Sequence, residues 1–170
     1  MNISLMGFSG TGKTVVSRLL ARRLDKKLIS TNEELASRTG LSIEKMAKRH
    51  GWGRLLEAES EVIESVSDLD ECVFDTGSST VLRNENVTNL KKNGLIIFLT
   101  ADSRVIESRI RRGQEKTDFA KREYIDKVKG VLDEWQEKYK KAADYTIDTT
   151  TLSPEEVCDL ITHYIQMELH

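Results

Sequence analysis

The chain has 170 residues, and its 26 Lys and Arg nearly balance its 28 Asp and Glu, leaving a formal net charge of −2. This balance argues against a general nucleic-acid or membrane-surface binder. The two cysteines, Cys72 and Cys158, are far apart and indicate neither a disulfide framework nor a zinc site. Because the first strand begins at once, with no basic leader, we expect a soluble cytoplasmic monomer with one domain spanning 1–170.

Short apolar runs alternate with longer helical patterns along the chain. The runs 3–6, 27–30, 72–75, 95–100 and 145–148 predict strands buried on both faces. Helical patterns at 14–24, 42–50, 55–67, 103–112, 122–143 and 152–169 lie between and after them. In the last of these, Ser153 is the expected N-cap, with Pro154 at the first helical position. Strands alternating with helices predict an α/β three-layer sandwich, in which helices cover both faces of a five-stranded parallel sheet.

The stretch GFSGTGKT, residues 7–14, follows the first predicted strand and opens the first helix. It matches the phosphate-loop motif G-x-x-x-x-G-K-[ST], whose backbone N–H groups converge on phosphate oxygens. Lys13 is expected to reach the β- and γ-phosphates of ATP, and the Thr14 hydroxyl to bind Mg²⁺. The alternative is an accidental glycine-rich turn. The predicted nucleotide-binding residues in this segment are Ser9, Gly10, Thr11, Gly12, Lys13, Thr14 and Val15.

Asp75 ends the predicted strand CVFD, residues 72–75. Apolar residues leading into an aspartate are typical of a Walker B strand, and Mg²⁺ usually needs a carboxylate ligand, directly or through water. If this strand neighbours the first one, Asp75 faces the phosphate loop. The alternative is that Asp75 only caps the turn that follows. We predict that Asp75 serves catalysis and holds the metal.

Two further regions contain candidate ligand-binding residues. Arg109 and Arg112 precede a polar segment, about 112–121, that we interpret as a lid, and they are predicted to bind the nucleotide. Cations at the end of a helix also favour its dipole, so a purely structural role is the alternative for each. Trp135 either stacks on a substrate or packs in the core.

Several stretches together resemble the shikimate kinase family: GFSGTGKT, LISTNEELASRTGLSIEKM, RLLE, TGSSTVLRNEN and AADYTIDTTTLSPEEV. The resemblance extends over nearly the whole chain. It implies a P-loop kinase of the nucleoside monophosphate kinase fold, with a small substrate-binding helical region at about 31–60 and a mobile lid over ATP.

The chain departs from that family's pattern at the positions where the family binds its substrate. The family's D-x-D after the second strand is S-T-N here, with Asn32 at the second aspartate position. The glycine triplet after the third strand survives only as Gly77, followed by Ser78. We take Arg54 as the retained arginine of F-R-x-x-E, and Trp135 stands where the family has a second substrate-binding arginine. The resemblance therefore assigns Asn32, Arg54, Gly77, Ser78 and Trp135 to the substrate, and Asp75 replaces the missing metal carboxylate.

These residues predict an ATP- and Mg²⁺-dependent phosphotransferase, similar to shikimate kinases, whose acceptor is the hydroxyl of a small anionic molecule and need not be shikimate. A missing charge-assisted contact costs about 1.5–3 kcal/mol. Two such contacts are missing here, at Asn32 and at Trp135, so shikimate is predicted to be a poor acceptor. One alternative is a genuine shikimate kinase. Another is a nucleotide-binding module with little kinase activity, and a nucleoside monophosphate kinase is the weakest.

Overall fold

The computed structural model describes residues 1–112 and 134–170. Its five strands are β1 (Asn2–Met6), β2 (Lys27–Ser30), β3 (Cys72–Asp75), β4 (Gly94–Thr100) and β5 (Tyr145–Asp148). They form one parallel sheet in the order β2-β3-β1-β4-β5. The predicted five-stranded parallel sheet is confirmed, and β3 lies beside β1, which is the condition given above for Asp75 to face the phosphate loop.

Helices connect the strands and cover the sheet. The chain forms α1 (Lys13–Leu24), α2 (Thr31–Thr39), α3 (Ile43–His50), α4 (Trp52–Val66), a 3₁₀ turn (Thr80–Leu82), α5 (Asn84–Lys91), α6 (Ser103–Arg111), α7 (134–142) and α8 (Pro154–Glu168). The start of the long helix predicted at 122–143 lies outside the described residues. Sequence patterns gave no helix at the position of α5, whose eight residues bury only Asn86 and Leu90 and so carry little apolar periodicity.

The strands place alternate side chains on opposite faces of the sheet. In β1, Ile3 and Leu5 join the core cluster under α1 and α8, whereas Met6 joins the cluster on the other face. The central strands β1, β3 and β4 are buried on both faces, as predicted. That prediction is wrong for β2 and β5, each of which has two exposed residues and only one buried residue among its four, because they lie at the two edges of the sheet.

A third, smaller cluster joins α2, α3 and α4 on one side of the sheet's carboxyl edge. Its buried members are Leu35, Ile43, Met46, Leu55, Ala58 and Val62. Serine caps fix where these helices begin: Ser30 accepts from the Glu33 N–H at the start of α2, and Ser42 accepts from the Lys45 N–H at the start of α3. The helical region is thus held beside the phosphate loop by its own core.

At the other end of the chain, Ser153 caps α8 in the predicted way. It forms a capping box with Glu156, and Pro154 occupies the first turn. Cys72 and Cys158 are free and buried, and burial raises the pKa of both thiols above its ordinary value. Within 1–112 and 134–170, no helix has the length and apolar character needed to cross a bilayer.

Candidate active site: a phosphate loop between two cavities

The loop after β1 has the backbone of an anion-binding turn. Gly7 has φ +142°, and a Cβ there would lie 2.3 Å from the carbonyl oxygen of Leu99, so no larger residue fits. Gly12 has φ +103° and precedes α1 without a side-chain cap. No acidic residue lies in the first turn of α1. The N-terminal N–H groups of α1 therefore lack a side-chain acceptor at the place where a phosphate binds.

Lys13, the first residue of α1, is almost fully buried. Its ammonium donates to the carbonyl of Gly7 and, over 3.1 Å, to the carbonyl of Thr76, in the segment after β3. An ammonium has three N–H donors, and these two bonds fix its position at the mouth of the loop. Lys13 thus links the phosphate loop to the segment that follows Asp75.

Asp75 points towards the phosphate loop. The Thr14 hydroxyl donates to Asp75 Oδ2 over 3.0 Å, and Asp75 is opposite Leu5 of β1 and Ser30 of β2 in the sheet register. The carboxylate thus reaches across the crevice to α1, and capping the following turn is not its only contact. The structure brings together the two oxygens that the sequence assigned to the metal.

One cavity, the α1–α8 cavity, lies on the far side of α1 from Asp75 and has a volume of about 230 Å³. Its wall is mainly apolar and is made by Thr11, Gly12, Val15, Val16, Arg109, Thr149, Leu152, Pro154 and Val157. Arg109 donates to the Gly10 carbonyl over 3.1 Å and to the Thr149 carbonyl over 2.9 Å, while Thr149 Oγ1 donates to the Thr11 carbonyl over 2.7 Å. Arg109 is thus anchored to the phosphate loop, with its planar guanidinium at the cavity wall.

The second cavity, the α1–α3 cavity, has a volume of about 260 Å³ and lies on the Asp75 side of the loop. It is lined by Ser9, Lys13, Thr14, Arg18, Ser30, Asn32, Glu33, Ala36, Ser42, Ile43, Glu44, Asp75 and Thr76. The two cavities share the phosphate loop and the first turns of α1. Lys13, Thr14 and Asp75 face the α1–α3 cavity, at the point where a phosphate on the loop would meet a second ligand.

Three of the predicted substrate residues lie at or next to this cavity. Asn32 lines it, and a Cβ on Gly77 would lie 2.7 Å from Asn32 Oδ1, so the two residues are in close contact. The Gly77 N–H donates to Thr31 Oγ1 over 3.2 Å. Ser78 is buried just beyond the cavity lining, and its carbonyl accepts from the Tyr139 hydroxyl.

Trp135 and Arg54 do not belong to the described lining of the α1–α3 cavity. Trp135 stacks on Phe8 of the phosphate loop, with ring centroids 5.4 Å apart and an interplanar angle of 14°. It is half-buried against the core cluster, which is the core alternative left open above. Arg54 is 44% exposed and pairs with Glu57 at 3.4 Å and Glu61 at 3.3 Å.

The lid predicted at about 112–121 lies outside the described residues, except for Arg112. That arginine is exposed just after α6 and lines neither of the two cavities.

Two residues near the site were not recognised from sequence. Glu59 is only 2% exposed, and its carboxylate accepts from the Ser79 and Thr80 hydroxyls, each over 2.6 Å. It ties α4 to the segment after β3. The buried face of α4 follows the spacing 55, 58, 59, 62, 63, 66, so helical periodicity identifies Glu59 as an inward carboxylate and Arg54 as an outward residue. Arg18 was missed too, although it lies one turn after Thr14 on the same helix face.

The scan against protein families agrees with this architecture. A family model described as shikimate kinase matches residues 9–166. A curated shikimate kinase from Caldicellulosiruptor bescii is 36% identical over 160 residues, covering 94% of this chain and 92% of that protein. This chain belongs to the shikimate kinase family. A second family member, from Pelotomaculum thermopropionicum, is 33% identical over 165 residues and covers 97% of this chain and 95% of its own length.

Solved structures of the family have the same fold. Shikimate kinase from Aquifex aeolicus superposes with a TM-score of 0.82 at 27% identity, covering 99% of this chain and 98% of that one. Shikimate kinase from Acinetobacter baumannii in complex with shikimate gives a TM-score of 0.87 at 24% identity, covering 98% and 93%. The expected P-loop kinase fold is confirmed.

Family membership makes this chain an ATP-dependent small-molecule kinase that uses Mg²⁺. Across 1–112 and 134–170, no group of three or more His, Cys, Asp or Glu side chains could hold a metal ion by itself. Thr14 and Asp75 are the oxygen donors that suit a metal carried by the nucleotide. Oxygen ligands of octahedral Mg²⁺ at 2.0–2.1 Å are about 3 Å apart on neighbouring positions, and these two oxygens are 3.0 Å apart.

Proposed function

We propose that this family member transfers the γ-phosphoryl group of ATP to the hydroxyl of a small, anionic molecule bound in the α1–α3 cavity. The observation that carries the proposal is the 3.0 Å contact between Thr14 and Asp75, at the junction of the phosphate loop and that cavity. Phosphoryl transfer requires the acceptor to bind next to the phosphates of the nucleotide, and the α1–α3 cavity opens onto the phosphate loop.

ATP is proposed to lie across the N-terminus of α1. Its phosphates would accept from the loop N–H groups and from Lys13, as the uncapped start of α1 favours. The base would enter the α1–α8 cavity, where the Arg109 guanidinium and Pro154 offer flat surfaces. Trp135 stacks on Phe8 in the loop, and it is proposed to support the loop and to contact neither ligand.

Thr14 and Asp75 are proposed to hold the Mg²⁺ of the nucleotide, directly or through water, and the ion supplies charge neutralisation on the phosphates. The hydroxyl oxygen of the acceptor forms a bond to the γ-phosphorus, and the bond from that phosphorus to the bridging oxygen breaks. ADP leaves with the electron pair, and the hydroxyl proton is released. Lys13 stabilises the charge on the transferred group, since the Thr76 carbonyl holds it beside Asp75.

Shikimate itself is the second candidate acceptor, and the names of the curated relatives favour it. Against it are the two positions at which the family resemblance implies substrate-binding arginines. Arg54 is paired with Glu57 and Glu61, and Trp135 stacks on Phe8. The only arginine on the described lining of the α1–α3 cavity is Arg18.

A panel assay tests the proposal. The protein is incubated with ATP, Mg²⁺ and single hydroxyl compounds (shikimate, simple hydroxy acids, hydroxy amino acids and nucleosides), and ADP release and the ³¹P NMR signal of a phosphate ester are followed. We expect one carboxylate-bearing compound to stimulate ADP release and to yield an ester. ATP that binds tightly while no compound is phosphorylated would overturn the proposal and support a nucleotide-binding module.

A further inference from the structure

The charged side chains of the α1–α3 cavity include one cation and one anion that have no side-chain partner within residues 1–112 and 134–170. Five charged residues line the cavity: Lys13, Arg18, Glu33, Glu44 and Asp75. Three of them are already engaged. Lys13 donates to backbone carbonyls, Asp75 accepts from Thr14, and Glu44 pairs with Lys48 at 3.1 Å.

Arg18 and Glu33 differ from these three. Among the described residues, neither side chain takes part in a hydrogen bond or an ion pair, although both line the same cavity. They are not paired with each other within 4.0 Å. The cavity therefore offers a cationic and an anionic group at two separate positions.

The fold places these two groups on either side of Asp75. Arg18 is one turn beyond Thr14 on α1, and residues four apart share a helix face, so Arg18 follows the side chain that contacts Asp75. Glu33 lies in the first turn of α2, which Ser30 caps. Ser30 is directly opposite Asp75 in the β2–β3 register.

We infer that the acceptor is a small zwitterion, a hydroxylated amino acid, whose carboxylate binds Arg18 and whose ammonium binds Glu33, with its hydroxyl directed to the phosphate loop. This inference rests on the proposed kinase function and refines its acceptor from an anion to a molecule whose carboxylate is balanced by an ammonium group. A purely anionic acceptor would pair with Arg18 but face the carboxylates of Glu33 and Asp75. An acceptor that also carries an ammonium pairs both groups, and unpaired charges are a strong source of discrimination.

The test deletes one charge from the acceptor and one from the protein. L-Homoserine is compared with 4-hydroxybutanoate, which lacks the amine, and with 3-aminopropan-1-ol, which lacks the carboxylate. L-Serine, 3-hydroxypropanoate and ethanolamine provide the same comparison with acceptors that are one methylene shorter. For the wild-type protein, we expect kcat/KM to fall about tenfold when either charged group of the better amino acid is removed, since both protein partners are exposed and their ion pairs are partly screened.

The variants Glu33→Gln and Arg18→Gln then identify the partner of each group. Glu33→Gln should lower kcat/KM about tenfold for the amino acid and leave the amine-free hydroxy acid unchanged. Arg18→Gln should lower it for the amino acid and leave the amino alcohol unchanged. The matched controls are Glu34→Gln, a neighbouring residue that pairs with Arg38, and Arg22→Gln, one turn further along α1 and outside the cavity lining. Both controls should retain wild-type values.

Three outcomes would overturn the inference. In the first, the hydroxy acid is as good an acceptor as the matching amino acid. In the second, Glu33→Gln lowers kcat/KM equally for both compounds, which indicates a structural role. In the third, shikimate exceeds every amino acid in kcat/KM. These results leave the proposed kinase function standing, whereas ATP binding without any phosphorylated product removes the kinase function itself.

Discussion

The two sides of α1 differ in how their polar groups are satisfied. On the α1–α8 side, Arg109 and Thr149 donate to carbonyls of the phosphate loop, so this cavity wall is pre-formed by bonds within the protein. On the α1–α3 side, Arg18 and Glu33 line the cavity with no side-chain partner among residues 1–112 and 134–170. Phosphate recognition depends on backbone geometry that few sequences provide, whereas acceptor recognition depends on side chains that can change one at a time.

The largest effect is expected on the element that both sides share. Lys13→Ala removes the ammonium at the junction of the two cavities, and it should reduce turnover by about a thousandfold, in the range of losing one transition-state donor. ADP release in the presence of the acceptor measures this, with Lys45→Ala, an exposed lysine of α3, as the control. Circular dichroism checks that the variant remains folded. Normal turnover in a folded Lys13→Ala variant would exclude phosphoryl transfer at this loop.

Asp75→Asn retains the shape of the side chain and removes its charge. We expect a ten- to hundredfold loss of Mg²⁺-dependent turnover, because the metal loses a charged ligand, with less than a twofold change in ATP binding in the presence of EDTA. Asp148→Asn at the end of β5 is the matched control, since the Asp148 carboxylate accepts from the Thr150 N–H and hydroxyl and, among the described residues, from no other group. A normal Mg²⁺ dependence in Asp75→Asn would reduce Asp75 to that same capping role.

Arg109→Ala changes the lining of the α1–α8 cavity, where we propose that the base binds, and leaves the described lining of the α1–α3 cavity intact. Removing the guanidinium should raise the KM for ATP about tenfold, as expected for losing a charged contact at a partly exposed site, and leave the KM for the acceptor unchanged. Arg111→Ala is the control, because Arg111 is on the same helix but pairs outwards with Glu107 at 2.7 Å. Equal effects of the two substitutions would show that the α1–α8 cavity is not the base site.

The smallest effect is expected at Arg54, which the family resemblance assigned to the substrate. Since Arg54 is an exposed residue paired with Glu57 and Glu61, Arg54→Gln should change the KM for the acceptor less than twofold. A tenfold rise in that KM would show that the substrate-binding helices rearrange to bring Arg54 to the acceptor, and would restore the assignment made from sequence.

Much of the fold follows from the sequence because its signals are local. Five apolar runs and the glycine-rich loop are sufficient to predict the sheet and the position of α1, and the predicted N-cap of α8, Ser153, is present. The edge positions of β2 and β5 could not be predicted from their composition, since strand order depends on contacts between distant segments. α5 escaped detection because its eight residues carry little apolar periodicity.

Part of the candidate site could also be predicted from the sequence. Thr14 and Asp75 are 61 residues apart in sequence, yet the parallel sheet brings them to 3.0 Å, and motif and strand adjacency together anticipate that contact. Arg54 was assigned by matching a motif rather than by helix face, although periodicity places it on the outer side of α4. Trp135 could not be placed from sequence because its partner, Phe8, lies more than a hundred residues away.

The most direct test of the proposed site is to fill the α1–α3 cavity with a larger side chain and to measure both acceptor phosphorylation and ADP binding. Ala36, on α2, lines the α1–α3 cavity but has no place in the α1–α8 cavity. Ala36→Trp should abolish acceptor-stimulated ADP release, while the calorimetric Kd for ADP stays within twofold of the wild-type value. Loss of ADP affinity in a folded Ala36→Trp protein, or undiminished phosphorylation of the acceptor, would contradict the assignment of the acceptor to this cavity.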